Sequence, residues 1–326
     1  MEAHHWVPEG DGVRCALCFH RCYLTRGARG LCGARKEEGG RLVSPFLGRF
    51  PSVAVDPIEK KPLYHWRPGS RILSLGGLGC NLDCPFCQND SLSHPLGWIA
   101  SPFLEPEELV ALAEAGGEGA VAFTYNEPLI HPEYLLEAGR QLHRRGIRVV
   151  WITNGTIEPE PLEEILGKVD AANVDLKAFT QEGYRSLGGD LESVLRTLRR
   201  MREAGVHLEV THLVVPGLND DPTDFSGLVD WLADLSPRIP LHLSRYFPRR
   251  KATAPATSLR TLEGFRDIAE KRLKHVYLGN CGGSAVTRCE KCGRDILARS
   301  EYNIFQRHIA ASGNCGFCGQ DNGIVP

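Results

Sequence analysis

Gly79-Cys80-Asn81-Leu82-Asp83-Cys84-Pro85-Phe86-Cys87 sets three cysteines in the spacing Cys-x3-Cys-x2-Cys, directly after an apolar, strand-like run, Arg71-Ile72-Leu73-Ser74-Leu75-Gly76-Gly77. A cubane iron–sulfur cluster has four irons, each of which takes a thiolate. Three closely spaced thiolates with no fourth nearby leave one iron open, and an open iron on a low-potential cluster can bind a small molecule and pass it an electron. The competing reading is a zinc knot completed by His94, which follows Cys87 at a short distance. Structural zinc sites are closed and are usually built from paired Cys-x2-Cys arms. Here a three-residue gap comes first, so the spacing favours the cluster. A loop at the C-terminal end of a first strand is also where an α/β barrel carries its chemistry.

Outward from this loop the chain alternates between strand and helix patterns. Gly119 to Tyr125 is β-rich and is followed by a predicted helix from about Pro132 to Arg145; Ile147 to Thr153 is the next strand, with a short helix around Pro161 to Leu166. Ala172 to Leu176 reads as strand, Leu191 to Ala204 as a helix with Leu195, Leu198 and Met201 on one face, and Val206 to Val215 as a long strand. Phe225 to Leu235 is a helix, Ile239 to Leu243 a strand, Leu262 to Leu273 a helix and His275 to Leu278 a final strand. Six or seven βα repeats imply a parallel sheet with crossover helices. The count stops short of eight, which predicts a partial (βα)6 barrel.

Polar residues recur at the ends of these strands: Thr124-Tyr125-Asn126-Glu127, Thr153-Asn154, Asp175-Leu176-Lys177, Thr211-His212, and His242 with Ser244 and Arg245. Any one of them is more often a turn or cap residue. Five consecutive strands ending this way beside the cysteine loop point to a shared ligand site.

The chain has 326 residues and a net charge of −2, so no global basicity advertises nucleic acid. Met1 to Gly12 is polar and does not read as a signal peptide, and no apolar run approaches a membrane span. The twelve cysteines fall into short-spaced groups, which fits metal binding in a reducing cytoplasm better than disulfides. Cys289-x2-Cys292 and Cys315-x2-Cys318, each followed by glycine, form a zinc-ribbon or rubredoxin-like pattern, with Zn2+ the first choice of ion. Cys15, Cys18, Cys22 and Cys32 suit zinc or a second cluster, zinc being preferred and His20 a substitute ligand. Cys281 stands alone as an unliganded buried thiol. The expected organisation is a Cys-rich segment over 1–55, the barrel over 56–280 and a zinc-ribbon-like module over 281–326.

The loop with Phe86 at its aromatic place resembles the cluster loop of radical SAM enzymes, whose pattern is Cys-x3-Cys-x-aromatic-Cys. Within that superfamily the chain is similar to pyruvate formate-lyase activating enzymes. It resembles more closely the radical SAM member of the AmmeMemoRadiSam system. The resemblance runs over nearly the whole chain, through Cys15-x2-Cys18-x3-Cys22 with Cys32, Asp56-Pro57-Ile58-Glu59-Lys60-Lys61-Pro62-Leu63-Tyr64-His65, Thr124-Tyr125-Asn126-Glu127-Pro128, Asn173-Val174-Asp175-Leu176-Lys177, His242-Leu243-Ser244-Arg245-Tyr246 and Tyr277-Leu278-Gly279-Asn280. It implies a [4Fe–4S] cluster on Cys80, Cys84 and Cys87, and S-adenosyl-L-methionine (SAM) bound near Phe86, Asn126, Glu127, Asn154 and Lys177. Glu127 stands where such enzymes contact the methionyl amine, and a glycine-rich adenine motif is not evident in Val210-Thr211-His212-Leu213-Val214. Reductive cleavage of SAM would yield a 5′-deoxyadenosyl radical that takes a hydrogen atom from the substrate, so no general acid or base is assigned. Lys60, Lys61, His65, His242 and Arg245 are the expected substrate contacts. The implied partners are a low-potential reductant such as flavodoxin or ferredoxin, and either a glycyl radical enzyme or Memo-like and other AmmeMemoRadiSam proteins. The alternative class is a non-catalytic, metal-stapled module that binds protein or nucleic acid.

Overall fold

The computed structural model describes residues 1–95 and 99–326. Its central sheet has eight strands: β1 (Ser52–Pro57), β2 (Arg71–Gly76), β3 (Ala120–Phe123), β4 (Arg148–Thr153), β5 (Ala171–Asp175), β6 (His207–Val214), β7 (Leu241–Arg245) and β8 (Val276–Gly279). They lie side by side in chain order, with β2 to β8 parallel and β1 antiparallel along the outer edge of β2. Helices α1 (Pro106–Gly116), α2 (Pro132–Arg144), α3 (Pro159–Leu166), α4 (Leu191–Glu203), α5 (Pro222–Leu235) and α6 (Leu259–Ala269) supply the crossovers. Among the described residues no pairing joins β1 to β8, so the barrel stays open. This is the α/β partial barrel expected from six repeats, with β1 added at one edge. That strand straddles the boundary expected between residues 55 and 56.

The helices begin where the sequence supplies a start signal. Pro222 opens α5 behind Asp221, whose side chain accepts the Thr223 and Asp224 amides, and Asp190 and Ser258 cap α4 and α6 in the same way. Strands buried on both faces read as continuous apolar runs. One face carries Leu73, Leu75, Val121, Phe123, Val149 and Trp151 against the helices. The other carries Ile72, Ala120, Ala122, Val150 and Ala171 into the barrel interior, and these small side chains leave room for a plug formed by Ile58, Leu63 and Trp66. Among the described residues no helix is long and apolar enough to cross a membrane.

The plug is pinned at the N-terminal end of the barrel by Glu209. Its carboxylate accepts the backbone amides of Tyr64 at 2.9 Å and His65 at 2.7 Å, and it meets Nε2 of His207 at 3.1 Å and of His242 at 2.7 Å. Burial alone would raise the Glu209 carboxyl, but the bonds from His207 and His242 hold it well below the usual carboxylate range. The C-terminal segment closes this end from outside. Its three-stranded antiparallel sheet (Ser284–Arg288, Asp295–Ser300, Asn303–Arg307) presents Arg299, and Val325 pairs with the plug through Arg67 and His65.

His65 and His242, expected as substrate contacts, therefore lie in this buried network. The strand expected over Ile239 to Leu243 runs instead over Leu241–Arg245, which moves His242 from the mouth of the barrel to its base. His65 is buried there, with Nε2 at 2.7 Å from the Tyr277 hydroxyl and Nδ1 at 3.2 Å from the Asn322 carbonyl oxygen. Burial holds its imidazole well below the ordinary histidine value, in keeping with a neutral packing role.

Arg299 is fully buried, donates to Tyr64 O and to Thr287 Oγ1, and stacks on the Tyr64 ring at 4.5 Å. Its ion pair with Glu59 is long, at 3.8 Å, and burial pushes the Glu59 carboxyl up, so the hydrogen bonds and the ring carry most of the anchoring. Arg299→Met is expected to destabilise the protein by about 2–4 kcal/mol, because it leaves the Tyr64 carbonyl buried and unpaired. Urea unfolding followed by tryptophan fluorescence measures this; a change under about 1 kcal/mol would show that the module does not brace the barrel.

Candidate active site

The cysteine loop leaves β2 at the mouth of the barrel, and two glycines shape its exit. A side chain at Gly76 would stand 2.7 Å from the Tyr125 ring, and one at Gly79 (φ +97°) would stand 2.6 Å from the Cys32 carbonyl oxygen. Backbone bonds then brace the loop from several elements: Gly79 N to Leu92 O at 2.9 Å, Asp83 N to Leu187 O at 2.9 Å, and Lys251 N and Ala252 N to Pro85 O at 2.9 and 3.0 Å. Arg250 reaches back to the Cys84 carbonyl at 2.9 Å and pairs with Asp83 and Asp90.

Cys84 is buried and Cys80 and Cys87 are half-buried, within an apolar group of Leu82, Phe86, Leu187, Val215 and Tyr246. The three loop thiols do not gather at single-ion separation. Among the described residues, the sets of three or more ligand atoms within 4.8 Å of one another are the four C-terminal thiols and the group His4, His5 and Glu164. His94 completes no zinc knot, since its Nε2 lies 2.8 Å from the Leu82 carbonyl oxygen and its Nδ1 3.0 Å from Asp90. Thiols that do not converge on one point, beside an apolar floor, suit a cluster better than a tetrahedral ion.

The strand ends bring most of the expected ligands to this loop. Asn154, after β4, donates from Nδ2 to Asn81 Oδ1 at 2.9 Å and lies 3.7 Å from Cys80 Sγ. Lys177, after β5, is held by Asp175 at 2.9 Å; burial lowers its ammonium, but Asp175 and the Cys84 thiol outweigh this and raise it above the usual lysine range. Glu127 is fully buried and accepts from Thr153 Oγ1 at 2.6 Å, Asn154 N at 2.7 Å and Leu129 N at 3.0 Å. Burial pushes its carboxyl up to about 7 against the pull of those bonds. Both polar atoms of the Asn126 side chain are engaged, by Gly77 N at 2.9 Å and Gly79 O at 3.0 Å, and Phe86 packs edge-on against Tyr246. The side chains of Asn126 and Phe86 thus brace the loop.

A second polar group lies deeper in the interior, and sequence reasoning found only part of it. Asp56 on β1 binds Lys60 at 2.8 Å and Lys61 at 2.6 Å and accepts the Tyr125 hydroxyl, while Lys61 Nζ sits 4.2 Å over the Tyr125 ring. Desolvation would raise Asp56, yet these three bonds hold it far below the usual range; burial lowers Lys61 to about 8. Tyr125 adopts φ +70°, an uncommon conformation for a side chain of this size and one that marks functional sites more often than chance. Thr211 Oγ1 on β6 and Asn173 Oδ1 on β5 are buried without a partner. The signal for Asp56 and Glu209 was present in the sequence: a carboxylate inside an otherwise apolar strand needs a buried partner. Arg245 sits at the mouth, bonded to Thr257 O at 2.8 Å with its guanidinium over Phe247.

The two outer cysteine groups differ in geometry. In the C-terminal set Cys289 and Cys318 are 3.5 Å apart and Cys292 and Cys315 3.8 Å apart. A tetrahedral ion with sulfur at 2.3 Å requires separations of roughly 3.8 Å. Gly293 and Gly319 turn the two knuckles at φ +70° and +74°. The N-terminal thiols line one pocket without converging, and Cys281 joins none of the groups.

These arrangements agree with what the chain resembles. The sequence profile of the Radical SAM superfamily matches residues 75–229, from β2 into α5. An uncharacterized protein of Methanocaldococcus jannaschii is 36% identical over 325 residues, covering 97% of each chain. The benzylsuccinate synthase activating enzyme of Thauera aromatica is 26% identical over 69% of this chain and 71% of its own length. The pyruvate formate-lyase-activating enzyme of Clostridium pasteurianum is 26% identical over 48% of this chain and 67% of its own. With the loop spacing, the open barrel and a match that runs through the cluster loop, this chain belongs to the radical SAM superfamily.

Proposed function

We propose that this radical SAM enzyme holds its [4Fe–4S] cluster on Cys80, Cys84 and Cys87, seats SAM against Asn154 and Lys177, and abstracts a hydrogen atom from a glycyl radical enzyme. Cys80, Cys84 and Cys87 would hold the cluster, and when bound it would supply the single electron needed for reductive cleavage of SAM. Lys177 is cationic and braced by Asp175, which suits it to the methionyl carboxylate. Glu127 acts as a positioning residue, because its bonds fix the Asn154 backbone and the Thr153 hydroxyl. The apolar wall of Leu82, Phe86, Leu187, Val215 and Tyr246 excludes water beside Cys84. Lys60 and Lys61, with Asp56 and Tyr125, form a polar floor for the substrate, and Arg245 guards its entrance.

The observation that carries this reading is three unconverged thiols at the barrel mouth with a half-buried, Asp175-paired lysine beside one of them. Activation of a glycyl radical enzyme is supported by the two activating-enzyme relatives. A second reading, action with Memo-like and other AmmeMemoRadiSam proteins, rests on the whole-chain sequence resemblance alone, whereas the activating enzymes align with a smaller part of this chain. A low-potential flavodoxin or ferredoxin would serve as reductant in either case, and the C-terminal thiols would hold Zn2+. Anaerobically reconstituted protein given dithionite and SAM should release 5′-deoxyadenosine, and Lys177→Met should raise the KM for SAM at least tenfold. Intact SAM after incubation with reduced, cluster-replete protein would overturn the reading. A glycyl EPR doublet on a partner enzyme would support activation; its absence, with turnover of a Memo-like partner, would support the second reading.

A further inference from the structure

We propose that Cys15, Cys18, Cys22 and Cys32 hold a second iron–sulfur cluster, and that this cluster hands single electrons to the site on Cys80, Cys84 and Cys87. The four thiols are free, and all line one cavity whose walls include Leu17, Leu24 and Ile130. They share a cavity yet do not come within 4.8 Å of one another as a set, whereas the C-terminal thiols do. A single tetrahedral ion draws its sulfurs to roughly 3.8 Å; the thiolates of a cubane, each on its own iron, stand roughly 6 Å apart. The contrast within one molecule separates an ion site from a cluster site.

The rest of the cavity suits an anionic cluster. Gly30 forms part of its wall: a side chain there would lie 3.8 Å from both Cys22 Sγ and Cys32 Sγ, in the space a cluster needs. Backbone N–H groups point at sulfur, from His20 to Cys18 and from Ala34 and Arg35 to Cys32, as hydrogen bonds to cluster thiolates do. The buried Arg35 guanidinium lies 3.9 Å from Cys15 Sγ and is fixed by Glu133 at 2.6 Å and His4 O at 2.7 Å. It supplies positive charge against the thiolates. His20 is turned away as a ligand, with Nε2 at 2.8 Å from the Asn81 carbonyl oxygen.

That last contact also shows where an electron would go. Cys80 N donates to Cys32 O at 3.2 Å, so a thiol of each group is a few covalent bonds from one shared hydrogen bond. A low-potential one-electron donor would reduce the N-terminal [4Fe–4S]2+ cluster to the 1+ state. That cluster would pass the electron to the loop cluster and return to 2+, with no bond made or broken in the protein.

The relay rests on the proposed function, whereas occupancy of the N-terminal site does not. Anaerobic reconstitution of the full chain with iron and sulfide should load about eight irons per chain. The triple variant Cys80→Ala/Cys84→Ala/Cys87→Ala, whose N-terminal cavity is untouched, should keep half of them together with a [4Fe–4S] EPR or Mössbauer signature. A colourless triple variant carrying zinc and no sulfide would overturn the second cluster. Cys18→Ser/Cys22→Ser should lose half of the iron and lower the ratio of flavodoxin-driven to dithionite-driven SAM cleavage at least tenfold. An unchanged ratio would overturn the relay and leave the cluster assignment standing. A wild-type protein that holds both clusters but leaves SAM intact would refute the proposed function and not the N-terminal site.

Discussion

In reconstituted protein supplied with dithionite and SAM, Cys84→Ala is expected to lower 5′-deoxyadenosine release at least about a thousandfold, to the level of the protein-free blank. The change removes a thiolate without removing the loop. What holds this stretch is backbone: Cys87 N to Cys84 O at 3.2 Å, Arg250 to the same carbonyl at 2.9 Å, and Pro85 O bonded by Lys251 N and Ala252 N. None of these contacts uses the Cys84 side chain, so the folded state should lose only about 1 kcal/mol from the small void beside Leu187 and Tyr246. Activity and stability therefore separate at this position. Cys315→Ser should show the reverse, because its thiol belongs to a convergent set of four that ties together the module closing the barrel base. Metal and iron counts on each variant, taken with thermal melts, check the separation. Residual SAM cleavage in Cys84→Ala, or equal loss of iron from both variants, would mean that the cysteines are partitioned differently.

Spacing made the three cysteine groups readable, and strand and helix periodicity made the six repeats readable, because both are local properties of the chain. What the sequence hid depends on register and on distance between remote segments. An offset of about two residues in one strand moved His242 from the mouth to the base of the barrel. The segment with Lys60, Lys61 and His65 looked like a linker bordering a pocket; in the fold it divides, with Lys61 facing Tyr125 and His65 packed under the plug. Composition could not separate those two outcomes, since both need polar residues near aromatic ones. Likewise Cys-x2-Cys pairs look alike at either end of the chain, and only sulfur separations distinguish a site for one ion from a wider cavity. Asn126 matched the expected motif position, but its amide is taken by two backbone groups that no local pattern reveals.

Glu209→Gln is expected to destabilise the protein by about 3–5 kcal/mol, since it breaks a buried, hydrogen-bonded charge while nearly preserving volume. The carboxylate is fully buried and accepts from two backbone amides of the plug and faces two imidazoles. A glutamine amide keeps one acceptor oxygen and turns an NH2 donor toward a group that also donates. At this chain length the melting temperature should fall by about 5–10 °C, with the denaturant slope unchanged because the same surface unfolds. The pH dependence follows from the depressed carboxyl. A group whose folded value lies below its unfolded one contributes its full stabilisation above the unfolded value, about 4.3 for glutamate, and loses it as pH falls from there through the folded value. The gap between wild type and variant should accordingly stay constant from pH 7 to about pH 5 and narrow below about pH 4. Urea titrations at several pH values test both parts. A gap under about 1 kcal/mol at pH 7 would remove Glu209 as the anchor of the plug. A gap that holds its full size in acid would show that the carboxylate's charge contributes nothing, and that packing alone keeps Tyr64 and His65 in place.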